Sequence, residues 1–250
     1  MKRFLRVQAA LVFSALLPLS SPCGASTDTA ILPDLSMLQE KLGAMHQPLL
    51  WVITGDSITQ GAKWLGRERS YPEILEERIR WELKRRRDLF VNSAISGEKT
   101  TGLLADFDWR VLRFKPDVVS VMIGMNNATL GPSGRGNFER DLREMLERIR
   151  SVGAIPILHR TNPIDLESAG SASRADLPAY NDVISRVAQS TNTLLVDHWR
   201  HWTTVKATAS GLREWLADPL HPNPAGHRQF AIELFRTLGC YDVAAPSCQP

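Results

Sequence analysis

A single three-layer α/β/α domain built on a five-stranded parallel sheet is the fold class this sequence predicts. Three observations carry it. Short apolar runs recur along the chain at residues 49–54, 89–91, 118–123, 155–158 and 193–196, and continuous runs of this length suit strands buried on both faces. Segments with apolar residues three or four apart separate the runs, as amphipathic helices do. No internal repeat and no second core interrupt the alternation, and strands alternating with helices imply parallel pairing with helices on both faces.

Taken in order, residues 26–48 form a polar lead-in with a weak helical stretch around Met37–Leu42. The run from Leu49 to Thr54 opens the domain proper, expected over 49–240, and is followed at once by Gly55-Asp56-Ser57. Ser70-Tyr71-Pro72-Glu73 has capping-box spacing with Pro in the first turn. Leu75, Ile79 and Leu83 then predict a helix to about Arg87, with Lys84-Arg85-Arg86-Arg87 as a solvated cationic end complementing the helix dipole. Leu89-Phe90-Val91 is the second strand, ending in Asn92-Ser93-Ala94-Ile95-Ser96-Gly97. A helix over 101–114 leads to Pro116 and the third strand, Val118–Ile123, which ends in Gly124-Met125-Asn126-Asn127. The Gly-, Pro- and Ser-rich stretch 129–136 reads as a loop. Phe138, Leu142, Met145, Ile149 and Val152 trace one helix face, and Ile155–Leu158 follows as strand four. A polar loop, 162–176, precedes a helix marked by Leu177, Tyr180, Ile184 and Val187. Strand five, Thr193–Val196, leads into a loop of about twenty residues with Asp218 and His221, and the last helix starts near Pro224.

The first 25 residues are set apart. Lys2, Arg3 and Arg6 precede the apolar run Ala9–Leu19 and the small residues of Cys23-Gly24-Ala25, the layout of a secretory signal peptide cut after Ala25. Pro22 directly before Cys23 disfavours lipid attachment there. The expected product is secreted or periplasmic, with no stable membrane insertion once the leader is removed. Its loss takes the formal charge of +3 to about zero, which removes the electrostatic case for nucleic acid. Cys240 and Cys248 remain, in a chain bound for an oxidising compartment, so a disulfide between them is expected. Closing that loop would stabilise the fold by about 2.6 kcal/mol on the chain-entropy argument. The last residues, 241–250, read as a C-terminal tail.

The loops after strands one, two and three open at one end of a parallel sheet, where such folds keep ligands. Ser57, Gly97 and Asn126 collect there, and the loop before the last helix adds Asp218 and His221. A serine hydrolase needs a base to take the hydroxyl proton, a carboxylate to orient that base, and N–H donors for the oxyanion. These residue types are all present.

Four blocks carry a family resemblance: Gly55-Asp56-Ser57-Ile58-Thr59-Gln60-Gly61, Asn92 through Thr100, Gly124-Met125-Asn126-Asn127, and Asp218-Pro219-Leu220-His221-Pro222. In this order they resemble the SGNH (GDSL) hydrolases, over about residues 49–238. The resemblance implies a flavodoxin-like fold, ester hydrolysis through an acyl-serine, and no metal or organic cofactor. Carried over by position, Ser57 is the nucleophile, His221 the base and Asp218 its orienting acid. The Ser57 and Gly97 N–H groups and the Asn126 amide form the oxyanion hole. Two positions depart from the pattern: Ile58 replaces Leu, and Asn127 stands where many members carry Asp.

Short acyl groups, acetyl above all, on a carbohydrate are the expected substrate; lysophospholipase, thioesterase and O-acyltransferase activity use the same site. A non-catalytic glycan-binding domain on the same fold is the alternative from another class. Arg160, Asn162 and Trp202 are candidate substrate contacts, with Trp64 and Trp215 as possible aromatic platforms. Asp56 reads as a loop-ordering carboxylate and His227 as a surface residue.

Overall fold

The computed structural model describes residues 33–249, so the expected leader and the first part of the lead-in lie outside the described residues. Five strands, β1 (Leu50–Gly55), β2 (Leu89–Asn92), β3 (Val118–Met122), β4 (Ile155–Arg160) and β5 (Leu194–Asp197), form one sheet in the order β2-β1-β3-β4-β5. Every pairing is parallel, and the order is that of flavodoxin-like doubly wound sheets, which place a ligand crevice beside β1 where the winding reverses. β3 is buried along its whole length, and β1 and β4 each leave only one end residue half-buried, as their apolar runs require. Gly55 ends β1 level with Met122 of β3. Its φ is +155°, and a Cβ there would lie 2.0 Å from the Met122 carbonyl oxygen. Only glycine lets the two strands end together at this point.

The lead-in helix α1 (Pro33–Gly43) buries Leu38 completely. Its C-terminal side is tied to the sheet by the buried Arg85, which donates to the carbonyls of Lys41, Leu42, Ala44 and Gln47 and pairs with Asp88 at 2.9 Å. Asp88 in turn accepts the Leu49 N–H and the Trp51 indole N–H. Three short helices follow β1: α2 (Ser57–Gln60), α3 (Ala62–Leu65) and α4 (Tyr71–Glu77). The capping box of Ser70 and Glu73 is made as the spacing predicts. The helix does not run to Arg87. It widens into a π turn at Arg78–Glu82 and stops, because Lys84 takes a left-handed φ of +62° that turns Arg85 inward. The cationic run is therefore solvated at Lys84, Arg86 and Arg87 only.

The helix expected over 101–114 is broken at Asp106 into α5 (Thr100–Ala105) and α6 (Phe107–Arg110), so that Phe107 and Arg110 both turn inward. The Gly-rich stretch read as a loop is instead the start of α7 (Gly131–Ser151), with Pro132 in its first turn. The Tyr180 hydroxyl of α8 (Leu177–Ser190) donates to the Gly131 carbonyl at 2.9 Å and steadies that glycine-rich start. Two short helices, α9 (His198–Val205) and α10 (Ala209–Arg213), occupy the long loop after β5 before α11 (Pro224–Leu238). One helical layer is formed by α4 with α11 and the other by α5, α7 and α8, around a continuous apolar core. No helix among the described residues is long and apolar enough to cross a membrane.

The expected disulfide is absent: Cys240 and Cys248 are free thiols. The turn between them is closed without it. Arg78 donates to the Cys240 carbonyl at 2.9 and 2.7 Å, Glu82 accepts the Ser247 N–H at 2.9 Å, and Cys248 Sγ accepts the Asp242 N–H. Ala245 and Cys248 join the core, so the segment read as a tail is docked through residue 248.

Candidate active site

Ser57 is the first residue of α2, immediately beyond the C-terminal end of β1. Asp56 caps this turn, its Oδ1 accepting the Ile58 N–H at 3.0 Å, the loop-ordering role expected of it. Asp56 is wholly buried, and burial pushes its carboxyl up to about 7 against the pull of that hydrogen bond and of Arg174.

The partners of Ser57 come from the loop between α10 and α11. Asp218 Oδ1 accepts the N–H groups of Leu220 and His221, both at 2.8 Å, an Asx-type turn that presents the imidazole. A backbone bond from Ala217 to the His221 carbonyl closes the same loop. His221 Nδ1 lies 2.9 and 2.8 Å from the two Asp218 oxygens, and Nε2 lies 3.0 Å from Ser57 Oγ. A carboxylate on Nδ1 favours the tautomer with the proton there, leaving Nε2 as acceptor. Burial opposes ionisation of Asp218, but the two N–H groups and the imidazole outweigh it and hold the carboxyl below its ordinary range. Burial, with lesser help from Arg174 and Lys63, lowers the His221 pKa despite Asp218. At neutral pH the pair is carboxylate and neutral imidazole, the form that can take a proton from a hydroxyl.

The three expected oxyanion donors sit on linked loops. Gly97 has a φ of +80°, yet a Cβ would meet nothing within 4 Å, so backbone conformation rather than space selects glycine there. The loop around it is held to β1 by Ile95 N–H on the Gly55 carbonyl, and Arg110 grips it through the Ser93 carbonyl and the Glu98 carboxylate. Asn126 Nδ2 reaches the Glu98 carbonyl at 3.2 Å, which leaves its second amide hydrogen free. Asn127, where the resembling family often has Asp, accepts the Thr100 N–H and donates to Thr100 Oγ1, which in turn donates to the buried Asp141. The amide thus anchors the start of α5. A hydroxyl bonded to a neutral imidazole, beside fixed N–H donors, is equipped for acyl transfer.

Two residues complete this arrangement that sequence reasoning missed or misread. Arg174 donates to the Met125 carbonyl and to Asn126 Oδ1 at 3.0 Å, orienting the Asn126 amide. Its only signal was a basic residue in a polar loop at the active end of the sheet. Trp64 is no open platform: its ring lies on the His221 imidazole and its Nε1 donates to Asp218 Oδ2 at 2.8 Å.

The candidate substrate contacts do not meet at the site. Arg160 is spent on Asp197 and Asp182. Asn162 is wholly buried and donates to the Leu220 carbonyl, bracing the Asp218–His221 loop from behind. Trp202 is fully enclosed and packs on Trp215 and Phe230, because α9 turns it into the core. His227 is not at the surface: it is buried, and its Nδ1 accepts the Tyr71 N–H at 3.1 Å.

Residues 53–229 match the GDSL-like lipase/acylhydrolase family. Among curated proteins, the acetylxylan esterase of Geobacillus stearothermophilus is 30% identical over 161 residues, covering 60% of this chain and 71% of that one. An uncharacterized lipoprotein of Bacillus subtilis, YqeF, is 29% identical over 212 residues, covering 71% and 84%. Among solved structures, an alpha/beta hydrolase enzyme from the metagenome of Lake Arreo superposes with a TM-score of 0.63 at 28% identity, covering 78% of this chain and 98% of that one. A catalytic mutant of the Geobacillus acetylxylan esterase gives 0.61 at 25% identity, covering 76% and 94%.

Proposed function

The chain belongs to the GDSL-like lipase/acylhydrolase family of ester-bond hydrolases, and from that premise we propose that Ser57, His221 and Asp218 remove short acyl groups, acetyl foremost, from a carbohydrate outside the cytoplasm. The observation that carries the reading is the unbroken hydrogen-bonded chain from Ser57 Oγ through His221 to Asp218. His221 Nε2 takes the Ser57 proton as Oγ attacks the ester carbonyl. The Ser57 and Gly97 N–H groups and the Asn126 amide receive the negative oxygen, each donor contributing roughly 2.7–4 kcal/mol in the transition state. The imidazolium returns its proton to the leaving alcohol. Water, deprotonated by the same nitrogen, then releases the acid and restores Ser57.

The acetyl-carbohydrate assignment is supported by the similarity to an acetylxylan esterase. Export is supported by the basic and apolar leader of the sequence. A panel of p-nitrophenyl esters from acetyl to octanoyl, with acetylated xylo-oligosaccharides alongside, tests the substrate. The expected result is acetate release from the oligosaccharide and a kcat/KM for acetyl about tenfold or more above octanoyl, on the scale of pocket discrimination between acyl sizes. Preference for octanoyl, with no acetate released, overturns it.

A further inference from the structure

We infer that Trp64 is a positioning residue for the catalytic base, holding the plane of His221 and the second oxygen of Asp218 with one rigid side chain. The inference rests on the acyl-serine reading above and deepens it. Trp64 lies on α3, seven residues after Ser57 and 154 residues from Asp218. Its ring is stacked on the imidazole with centroids 3.5 Å apart and planes 12° from parallel. The indole Nε1–H donates to Asp218 Oδ2 at 2.8 Å.

What this adds follows from counting the partners of the carboxylate. His221 Nδ1 is shared by both Asp218 oxygens; beyond it, Oδ1 accepts two backbone N–H groups, while Oδ2 accepts the indole N–H alone. The Asp218 side chain is 36% exposed, so without the indole that oxygen would turn to water and the carboxylate could tilt. Contact with a carboxylate alone leaves an imidazole free to rock about its Cβ–Cγ bond, which moves Nε2 off the Ser57 hydroxyl. A flat indole against the ring removes that freedom, and misplacement by about 1 Å can cost a hundredfold in rate.

The same side chain acts on charge. The electron-rich indole face attracts an imidazolium and not a neutral imidazole, so this contact strengthens as the proton leaves Ser57. The indole N–H on Oδ2 makes Asp218 less basic, which keeps the shared proton on Nδ1. The other groups around His221 are the cations Arg174 and Lys63, and the neutral His227. Lys63 also lies 5.4 Å from the Trp64 ring. None of them can replace a donor on Asp218 together with a face on the imidazole.

Trp64→Phe and Trp64→Leu test this with p-nitrophenyl acetate. Phe keeps the face and loses the N–H; Leu loses both. We expect kcat to fall about fivefold in the first and about thirtyfold in the second, with KM within about twofold. In Trp64→Phe the acid limb of kcat/KM should rise by about half a pH unit, since an uncapped Asp218 stabilises the imidazolium more. Combined with Asp218→Asn, the Phe change should cost less than about twofold, because the N–H it removes acts only through the acid, while the Leu change should keep the several-fold loss that belongs to the ring face. Melting curves superimposable on wild type keep unfolding out of the comparison, and the Phe variant carries the test if Leu unfolds. A rise in KM with unchanged kcat would make Trp64 a substrate contact, and full additivity with Asp218→Asn would make it independent of the base; either overturns the proposal. Failure of the acyl-serine reading itself shows separately, as turnover surviving in His221→Ala.

Discussion

Among the described residues, two hydroxyl–imidazole chains run through the fold, and one of them has the parts of a proton relay. At the mouth, Ser57 contacts His221, which contacts a carboxylate. Beneath it, Ser120 of β3 lies 2.7 Å from His159 Nε2 of β4, and His159 Nδ1 lies 2.9 Å from His198 Nε2. The serine–imidazole distances are nearly the same. The third member and the solvent differ. The His221 side chain is 15% exposed and faces an anion, whereas His159 and His198 are 1% and 0% exposed and face each other. With no anion to stabilise a developing imidazolium, burial drives the His159 pKa down to about 3 and that of His198 well below its ordinary value. The inner chain is three neutral groups hydrogen-bonded in series, ending at His198 Nδ1, which is buried without a partner. A serine beside a histidine is therefore no sign of a nucleophile until the group behind the histidine is known.

The largest expected difference between the two chains is in turnover. Ser57→Ala and His221→Ala should each reduce hydrolysis of p-nitrophenyl acetate by about 10⁴-fold or more, while Ser120→Ala should leave kcat within about threefold. A comparable loss in Ser120→Ala would mean that the inner chain takes part in the chemistry.

A smaller effect sharpens what surrounds Ser57. If the Asn126 amide is the oxyanion donor proposed above, Asn126→Ala should lower kcat about 10²- to 10³-fold with little change in KM. An unchanged kcat would leave the oxyanion to the two backbone groups alone.

The smallest effect is on stability, where the two regions should separate by pH. His159 and His227 both have folded pKa values near 3, against 6.5 in an unfolded chain. A base with a depressed folded pKa contributes its full stability above 6.5 and loses it as pH falls towards 3, because the unfolded chain takes up protons first. At pH 5 the loss is roughly 2 kcal/mol for each of these two histidines. Asp56, held up near 7, works in the opposite sense: its share is full below 3.8 and disappears as pH rises through 7. Three buried histidines outweigh one carboxyl, so the melting temperature should fall between pH 7 and pH 5. A flat melting profile over that range would show that the inner histidines are not held neutral by burial.

The fold was legible because strand runs and turn residues are local. Ser57, Asp218 and His221 could be singled out as candidates because each lies in a short local block, a strand end or a single turn, and their roles came from the resemblance of four such blocks in order. What was not legible depends on distant packing. The stretch from 129 to 136 looked like a loop because glycine and proline weaken a helix in isolation, and the bond from Tyr180 that steadies it lies far along the chain. Trp64 and Asp218 are brought together only by the folded sheet. His227 was read as a surface residue near the start of its helix, but it shares a face with Phe230 and Ala231 and is covered by Tyr71, which lies far along the chain. The cysteines suggested a covalent closure, and a pair of charged residues in the π turn, Arg78 and Glu82, does the holding instead.

The buried Arg85 bears on where this protein can be cut. By composition, Leu49 looks like the natural beginning of the domain, since residues 26–48 before it are polar and weakly patterned. Yet four of the carbonyls that neutralise the Arg85 guanidinium lie between Lys41 and Gln47. A chain shortened to Leu49 would keep the whole sheet with Ser57, Asp218 and His221, and would strip the Arg85 guanidinium of those four carbonyls, leaving its pairing with Asp88 open to water. The smallest piece that retains the fold begins before α1, and a protease that trims α1 would unsettle β1, the strand that delivers Ser57.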